Sequence, residues 1–287
     1  MEPCSRIERT EKYERQSQRG DDLVELGRED DALQVFKEFR DVAERAGDED
    51  YRLYFEAEIL SLTDEEVQGQ LDLLRRALAW TESRNLPRPS LIVRALGLAL
   101  LAIGQYDDAI NWLKRNLETD PTDWETTLYI GMVYWEREQR DVATEWMDKT
   151  LVLNPECGDA LRWKAAALFI DDKWDAAVDC LNRAFASDPN NWKAMEDLGN
   201  QYAKKGEFKT AIEWYDQALL RNPRNVDGYR SKGVSLGEIG RFDEAMVWID
   251  KALDLDPKDW ESMREKGITL GDMGKLDLTV EWLQKAL

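Results

Sequence analysis

The side chains that most often carry out catalysis are scarce in this chain, and histidine is absent from its 287 residues. Without histidine there is no Ser-His-Asp or Cys-His nucleophile system, no histidine metal ligand and no imidazole general base. The cysteines Cys4, Cys157 and Cys180 are odd in number and widely spaced, which suits neither a disulfide framework nor a zinc site. We therefore expect no cofactor, no metal and a reducing compartment.

Other residues that could do chemistry are explained more simply by structure. The many carboxylates recur at regular intervals, which is typical of a solvated surface rather than of an acid–base pair. The segment GVSLGEIG, residues 233–240, is rich in glycine but lacks the G-x-G-x-x-G spacing and follows no predicted strand. We therefore expect a non-catalytic protein.

Charge and hydropathy restrict the partners that the chain can bind. Its 39 lysine and arginine residues against 59 aspartate and glutamate residues give a net charge of −20, which repels phosphate backbones and anionic lipid headgroups. The longest apolar stretch, Leu91 to Ile103, contains Arg94 and is too short to cross a hydrocarbon layer of about 30 Å. The first residues show no apolar segment typical of a secretion signal. These features predict a cytoplasmic protein with no nucleic-acid or membrane partner.

One pattern of prolines and small residues recurs at a step of 34 residues. Prolines that follow Asp or Asn, and are typical of turns that end helices, are Pro121, Pro155, Pro189, Pro223 and Pro257. A column of small residues, which indicates helices that cross closely, holds Gly97, Gly131, Ala165, Gly199, Gly233 and Gly267. Each unit is therefore predicted to contain two helices.

A tight turn is predicted between the two helices of a unit. Glycine recurs there at Gly104, Gly206, Gly240 and Gly274. Aspartates recur three residues later, where a carboxylate can accept hydrogen bonds from the N–H groups that open the second helix; they are Asp107, Asp141, Asp175, Asp243 and Asp277. Tryptophans recur within the second helix, as at Trp248 and Trp282, and we interpret them as packing residues because of their large apolar area.

These columns together resemble the tetratricopeptide repeat family. The resemblance is strongest over residues 90–287, which we interpret as a regular array of five full units and a partial sixth. Residues 13–89 are predicted to be divergent helical repeats, and residues 1–12 are expected to be disordered. The resemblance implies an all-α fold, a right-handed superhelical solenoid of antiparallel helix pairs in which neighbouring units supply each other's core.

The resemblance also implies that the first helix of each unit lines a concave wall, where such proteins bind a peptide or a partner helix. Residues three or four positions apart on these helices form a predicted apolar, aromatic groove with two arginines. The candidate binding residues are Arg94, Leu98, Leu101, Tyr129, Met132, Trp135, Arg162, Trp163, Phe169 and Asn200. Aromatic side chains beside arginine suit a peptide-binding hot spot. The same aromatics also suit packing within the repeat, and both roles stay open.

Three functions fit the sequence. The first is a protein–protein interaction scaffold; capture of a chaperone's C-terminal carboxylate is disfavoured, because Leu98 and Ala166 stand where the resemblance requires asparagine. The second is a homodimer through the last repeat, since Leu287 ends an apolar column with no polar capping helix after it. The third is the targeting half of a longer enzyme, such as a transferase or a protease.

Overall fold

The computed structural model describes residues 6–63 and 67–287, and these residues form sixteen α-helices and no strand. The helices are α1 (Arg6–Glu25), α2 (Glu29–Ala46), α3 (Glu49–Thr63), α4 (Val67–Ser83), α5 (Ser90–Ala102), α6 (Tyr106–Thr119), α7 (Trp124–Glu136), α8 (Arg140–Leu153), α9 (Gly158–Ile170), α10 (Trp174–Ser187), α11 (Trp192–Lys204), α12 (Phe208–Arg221), α13 (Val226–Glu238), α14 (Phe242–Leu255), α15 (Trp260–Asp272) and α16 (Leu276–Lys285). The prediction of an all-α fold is confirmed.

Successive helices pair across short turns. In each repeat the odd-numbered helix is the first helix and the even-numbered helix is the second. The chain divides into two compact units: unit 1, Met1–Pro155, which holds α1 to α8, and unit 2, Glu156–Leu287, which holds α9 to α16. Within the described ranges, no helix combines the length and the apolar character that crossing a membrane requires.

The N-terminal helix begins earlier than the sequence predicts. Residues 6–12 were expected to be disordered, but α1 starts at Arg6. The cause is a set of ion pairs with the start of α3: Arg6 contacts Asp48 at 3.1 Å and Asp50 at 2.5 Å, and Arg9 Nε contacts Asp48 at 2.7 Å. The Tyr13 hydroxyl donates a hydrogen bond to the same Asp48 carboxylate at 3.0 Å. Residues 1–5, including Cys4, lie outside the described residues.

Each regular first helix ends in a left-handed turn. The glycine column has φ between +72° and +78° at Gly104, Gly206, Gly240 and Gly274. Two repeats place a non-glycine residue in the same backbone conformation, Glu138 with φ of 61° and Asp172 with φ of 56°. After Gly104, the Gln105 N–H donates to the Leu100 carbonyl at 2.9 Å, which satisfies a carbonyl that the helix end leaves free. The predicted tight turn is therefore present.

In the regular array, side-chain caps are found on four of the first helices, whereas α5, α9 and the second helices have none. Asp107 and its equivalents lie in the first turn of a second helix, but the residue that precedes that helix makes no side-chain cap. The capping side chain accepts a hydrogen bond from the backbone N–H three residues later. The capping residues are Asp123, Asn191, Asn225 and Asp259. The aspartates of the second helices are thus left to interact with the helix dipole.

The column of small residues marks close crossings between the two helices of a unit. A Cβ atom on Gly199 would lie 2.5 Å from Cε1 of Tyr215, and one on Gly131 would lie 2.6 Å from Cε of Met147. Tyr215 and Met147 are each 1% exposed, so their side chains have no free space to move into. The spacing of the sequence thus predicted the crossing points correctly.

Two tryptophans of the second helices, Trp248 and Trp282, pack against lysines of the first helices. Lys232 Nζ lies 3.3 Å from the ring centroid of Trp248, and Lys266 Nζ lies 3.8 Å from that of Trp282. Each lysine also pairs with an aspartate of the preceding second helix, Asp216 for Lys232 and Asp250 for Lys266. A cation held between a carboxylate and an indole face joins three helices, which supports the packing role predicted for these tryptophans.

Candidate functional site

The predicted binding residues lie on first helices of both units. Six of them are on α5 and α7 of unit 1, namely Arg94, Leu98, Leu101, Tyr129, Met132 and Trp135. Four are on α9 and α11 of unit 2, namely Arg162, Trp163, Phe169 and Asn200. All ten are half-buried. We call the first set the unit 1 wall and the second set the unit 2 wall.

In the unit 1 wall, Arg94 is bound by carboxylates of the neighbouring first helix. Its guanidinium contacts Asp123 at 3.1 Å and Glu125 at 2.8 Å, and its side chain is 13% exposed. Asp123 is also the capping residue of α7, where it accepts from the Thr126 N–H at 3.0 Å. The ion pair therefore joins α5 to the start of α7 and neutralises the arginine.

The same arrangement recurs at a step of 68 residues in unit 2. Arg162 contacts Asp197 of α11 at 2.7 Å, and Arg230 of α13 contacts Asp259 at 2.8 Å and Glu261 at 2.6 Å. Each arginine thus reaches a carboxylate on the next first helix. Sequence reasoning proposed Arg94 and Arg162 as partner ligands; in the structure both also pair within the chain, and their role in binding stays a prediction.

The apolar part of the unit 1 wall consists of Leu98, Leu101, Tyr129 and Met132, all half-buried. Leu101 and Tyr129 also pack against the buried core beneath them. Trp135 has the guanidinium of Arg140 5.9 Å from its ring centroid. The wall therefore presents aliphatic and aromatic surface on two adjacent helices whose positions are fixed by the core and by Arg94.

The residues of the unit 2 wall make more contacts within the chain. Phe169 packs edge-on against Trp174 with ring centroids 4.9 Å apart, and Trp174 packs against Tyr202 at 5.4 Å. The Asn200 side-chain oxygen accepts a hydrogen bond from the Tyr215 hydroxyl at 2.8 Å. Phe169 and Asn200 thus have packing roles, and nothing in these contacts distinguishes them as ligands.

The sequence pattern did not point to the carboxyl groups on α1 and α3, which are the first helices of the first two repeats. Glu14 and Asp21 of α1 lie close enough to Arg94 to feel its charge, and Asp21 raises the pKa of Glu58 on α3. Asp21 was detectable, because it follows Gly20 just as Leu98 follows Gly97 in the regular array. Glu58 was not, since α3 lacks the glycine that marks the position.

Several half-buried carboxyl groups on first helices have raised pKa values, and the pKa is raised most at Glu58 and Glu196. Burial, reinforced by the Asp21 charge, raises the pKa of Glu58 to about 8, while the Tyr54 hydroxyl acts in the opposite direction. In unit 2, burial raises the pKa of Glu196 to about 7, and Asp227 and Asp197 add to the effect. A hydrogen bond from Asn225 lowers the pKa of Glu196 but does not cancel this. Unit 1 and unit 2 therefore each hold a carboxyl group whose ionised form the fold does not fully compensate.

These raised pKa values predict a pH dependence of stability. At Glu58 and Glu196 the folded chain binds protons that the unfolded chain has already lost, so the contribution of these two groups to stability is greatest below the unfolded pKa of about 4.5 and is lost as the pH rises through about 7 to 8. We expect Glu58→Gln and Glu196→Gln each to raise the free energy of unfolding at about pH 8 by on the order of 1–2 kcal/mol. Urea titrations at several pH values measure the change.

Glu49→Gln is the control for this pH prediction. Its carboxylate accepts hydrogen bonds from Arg52 at 2.7 Å, and this contact lowers the pKa of Glu49. The stability that it contributes is present above the unfolded pKa, so its removal is expected to lower stability at neutral pH. Equal pH profiles for all three variants and the unmodified chain would show that the carboxylates of the walls are fully solvated.

Comparisons with known proteins agree with the repeat pattern. Family models described as tetratricopeptide repeat match residues 93–123 and residues 129–191, 171–222 and 197–259. A sequence search of curated proteins gave no match.

Solved structures provide further similarities. MamA is 31% identical, with 59% of this chain and 92% of MamA covered and a TM-score of 0.46. A tetratricopeptide repeat protein from Parabacteroides merdae is 13% identical, with coverage of 83% and 92% and a TM-score of 0.61. A human IFIT1 dimer with m7Gppp-AAAA is 16% identical, with coverage of 93% and 66% and a TM-score of 0.64. The last two share the fold alone, and the superposition on MamA is too loose to bear on function.

The family follows from these matches together with the helix pairs and the crossing points already described. The matched segments together span more than half of the chain. The chain belongs to the tetratricopeptide repeat family.

Proposed function

We propose that the chain is a non-catalytic scaffold that binds a peptide or helix of another protein on its first-helix walls, chiefly on the unit 1 wall. The observation that carries the proposal is the apolar surface of Leu98, Leu101 and Met132 on two helices that Arg94 joins. A surface held rigid before binding loses little entropy when a partner docks, and half-buried apolar side chains bury further area in the complex. The family's usual role in protein interaction supports this reading.

The charge of the wall indicates what the partner contributes. Arg94 is neutralised by Asp123 and Glu125. Glu14 and Asp21 lie close enough to Arg94 to feel its charge, and Glu58 lies close to Asp21; burial and neighbouring carboxylates raise the pKa of all three, so their ionised forms lack a compensating cation. A lysine or arginine of the partner would relieve the repulsion among them, and an acidic partner would add to it. The preferred ligand is therefore a segment with aliphatic residues next to basic ones.

The same charges bear on the other classes of partner. A net charge of −20 and carboxylates along α1 and α3 disfavour the phosphates of nucleic acid, so the proposed partner is a protein. We place this function in the cytoplasm, on the composition of the chain. Within the described residues, no three or more cysteine, aspartate or glutamate side chains form a group able to hold a metal ion.

The proposal is tested with a displayed library of random peptides and the full chain. We expect the selected peptides to combine aliphatic and basic residues. Tyr129→Ala combined with Met132→Ala is expected to weaken their binding by about thirtyfold, since central apolar contacts at interfaces are worth about 2 kcal/mol. Fluorescence anisotropy with a labelled selected peptide measures the affinity.

The matched control replaces Val152, which is 80% exposed on the second helix α8, by alanine. This change is expected to leave the affinity unaltered. Circular dichroism on both variants checks that helix content is preserved. Selection of acidic peptides, or full affinity of the folded Tyr129 and Met132 variant, would show that the unit 1 wall is not the binding surface.

A further inference from the structure

The second half of helix α4 and the loop after it carry a basic surface in an acidic chain. Residues 67–89 hold four arginines and two carboxylates, whereas the whole chain has a net charge of −20. Helix α4 packs against both α3 and α5, so its outward face is that of a helix with a neighbour on each side. The arginines are Arg75, Arg76, Arg84 and Arg88. We call Arg75, Arg76, Trp80 and Arg84 the α4 surface.

Three of the four arginines have no carboxylate partner within the described ranges. Arg88 pairs with Glu82 at 3.2 Å. The other three are exposed, and they form no ion pair with the part of the chain that the structure describes. The second carboxylate of the segment, Asp72, accepts a hydrogen bond from the Gln68 side chain at 3.2 Å. The α4 surface therefore carries positive charge that the fold does not neutralise by direct contact.

An indole ring organises these arginines. Arg76 and Trp80 stand four residues apart and share a face of α4. The guanidinium of Arg84 lies 4.2 Å from the ring centroid of Trp80. The guanidinium of Arg6 lies 5.4 Å from the same centroid, but Arg6 is already paired with carboxylates of the chain, as described above. Arg84 is thus the stacked arginine whose charge is left for a ligand.

The arginines of the α4 surface also lie near a carboxylate that is already bound. Arg52 of α3 contacts Glu49 and Glu56 at 2.7 Å each. The hydrogen bond from Arg52 lowers the pKa of Glu49, and the charges of Arg76 and Arg84 lower it further. Arg76 and Arg84 therefore lie close to one another around Glu49, while the direct contacts of that carboxylate go to Arg52.

This arrangement suits a carboxylate ligand better than an isolated surface cation does. A single exposed ion pair contributes little, because ordering two long side chains offsets their attraction. Stacking on the indole restricts Arg84 before a ligand arrives, and the edge of the planar guanidinium keeps its N–H groups for a bidentate contact. Three uncompensated arginines on one surface also steer an anionic segment towards it.

The class of partner follows from the small size of the surface and the charge of the rest of the chain. A long polyanion, such as nucleic acid or an anionic membrane, would also face the carboxylates of a chain with a net charge of −20. A short acidic segment can be confined to the arginines. We propose that the α4 surface binds an acidic segment of a partner protein, whose carboxylates pair with Arg76 and Arg84 beside Trp80. None of these residues belongs to the unit 1 wall, so this is a second binding surface.

Fluorescence anisotropy tests the proposal with the full chain and a short labelled peptide of glutamate, aspartate and glycine. The unmodified chain is expected to bind this peptide in preference to one in which glutamine and asparagine replace the acidic residues. Arg76→Gln combined with Arg84→Gln is expected to raise the dissociation constant at least about tenfold, because two charge-assisted contacts are lost. Added salt is expected to weaken binding, since the charges are exposed.

Lys114→Gln combined with Arg115→Gln is the matched control. Arg115 is likewise exposed and lies 4.9 Å from the ring centroid of Trp112. The control removes the same charge from another second helix, α6, in which carboxylates outnumber cations. It is expected to leave the affinity for the acidic peptide nearly unaltered. Circular dichroism checks that both double variants keep their helix content.

Several results would overturn the proposal. One is equal binding of the acidic peptide and its amide counterpart, and another is an equal loss of affinity in both double variants. A short single-stranded RNA that binds more tightly than the peptide, and is lost on changing Arg76 and Arg84, would show that the surface takes nucleic acid instead. Tyr129→Ala combined with Met132→Ala is expected to leave acidic-peptide binding unchanged; a loss in this variant would place the acidic ligand on the unit 1 wall.

Discussion

Gly199→Ala is expected to lower the free energy of unfolding by about 2 kcal/mol, although alanine is the better helix former. The new Cβ would lie 2.5 Å from Cε1 and 2.8 Å from Cδ1 of Tyr215, well inside van der Waals contact. Tyr215 is 1% exposed, and its hydroxyl is held by Asn200 at 2.8 Å, so the ring has little room to move. Overpacking of about 3 kcal/mol therefore outweighs a gain in helix propensity of about 1 kcal/mol.

Gly237→Ala is the matched change with the opposite expected sign. Gly237 also lies inside a first helix, α13, but a Cβ there would meet no atom within 4 Å. Only the propensity term remains, and stability is expected to rise by about 0.5–1 kcal/mol. Urea denaturation followed by circular dichroism measures both variants. A destabilisation of equal size at both positions would mean that the effect comes from the backbone and not from the crossing.

The glycine column also explains how far the fold was predictable. A residue type that recurs at one spacing records a steric requirement that every unit shares, so Gly97, Gly131 and Gly199 identified the crossings without any coordinates. The turn glycines are similar, because a left-handed backbone conformation favours glycine over other residues. Glu138 and Asp172 adopt this conformation without being glycine, so the repeat enforces the turn even where the residue type does not indicate it.

The structural features that the sequence could not predict depend on contacts between neighbouring repeats, and these contacts do not occur in every repeat. The start of α1 is held helical by ion pairs of Arg6 and Arg9 with Asp48 and Asp50. These partners are about 40 residues apart in the sequence, and they do not recur at the 34-residue step. The pairing of Arg94 was hidden for a similar reason. Its partners Asp123 and Glu125 begin the next first helix, and the column that holds Arg94, Arg162, Arg230 and Arg264 has leucine or glutamate in the other repeats.

The carboxylates of α1 and α3 change the chemical character of the candidate site. The sequence of α5, α7 and α9 alone predicts an apolar, aromatic groove with two arginines. Once Arg94 is paired within the fold, Asp21 near it and Glu58 near Asp21 are carboxyl groups whose raised pKa values show that their ionised forms lack a compensating cation. The preference for a basic partner therefore depends on whether Arg94 is held within the fold or released to a ligand.

Replacing Arg94 with methionine decides between these roles. Asp123, whose side chain is 5% exposed, would keep its hydrogen bonds from Asn116 and Thr126 but lose its counterion, and Glu125 would stand beside it. Breaking one side of a largely buried ion pair leaves an uncompensated charge, so we expect the free energy of unfolding to fall by about 3 kcal/mol. Arg264→Met removes an exposed arginine from the same column and is expected to cost less than about 0.5 kcal/mol.

A second substitution and a binding measurement complete this prediction. Asp123→Asn in the Arg94→Met background removes the stranded charge and is expected to recover part of the loss, since the two residues are energetically coupled. Peptides selected on the unmodified chain are expected to bind the Arg94→Met protein at least as well, because the wall becomes more negative. If the variant instead keeps its stability and loses peptide binding, Arg94 is a ligand for a carboxylate of the partner, and the partner's expected charge is reversed.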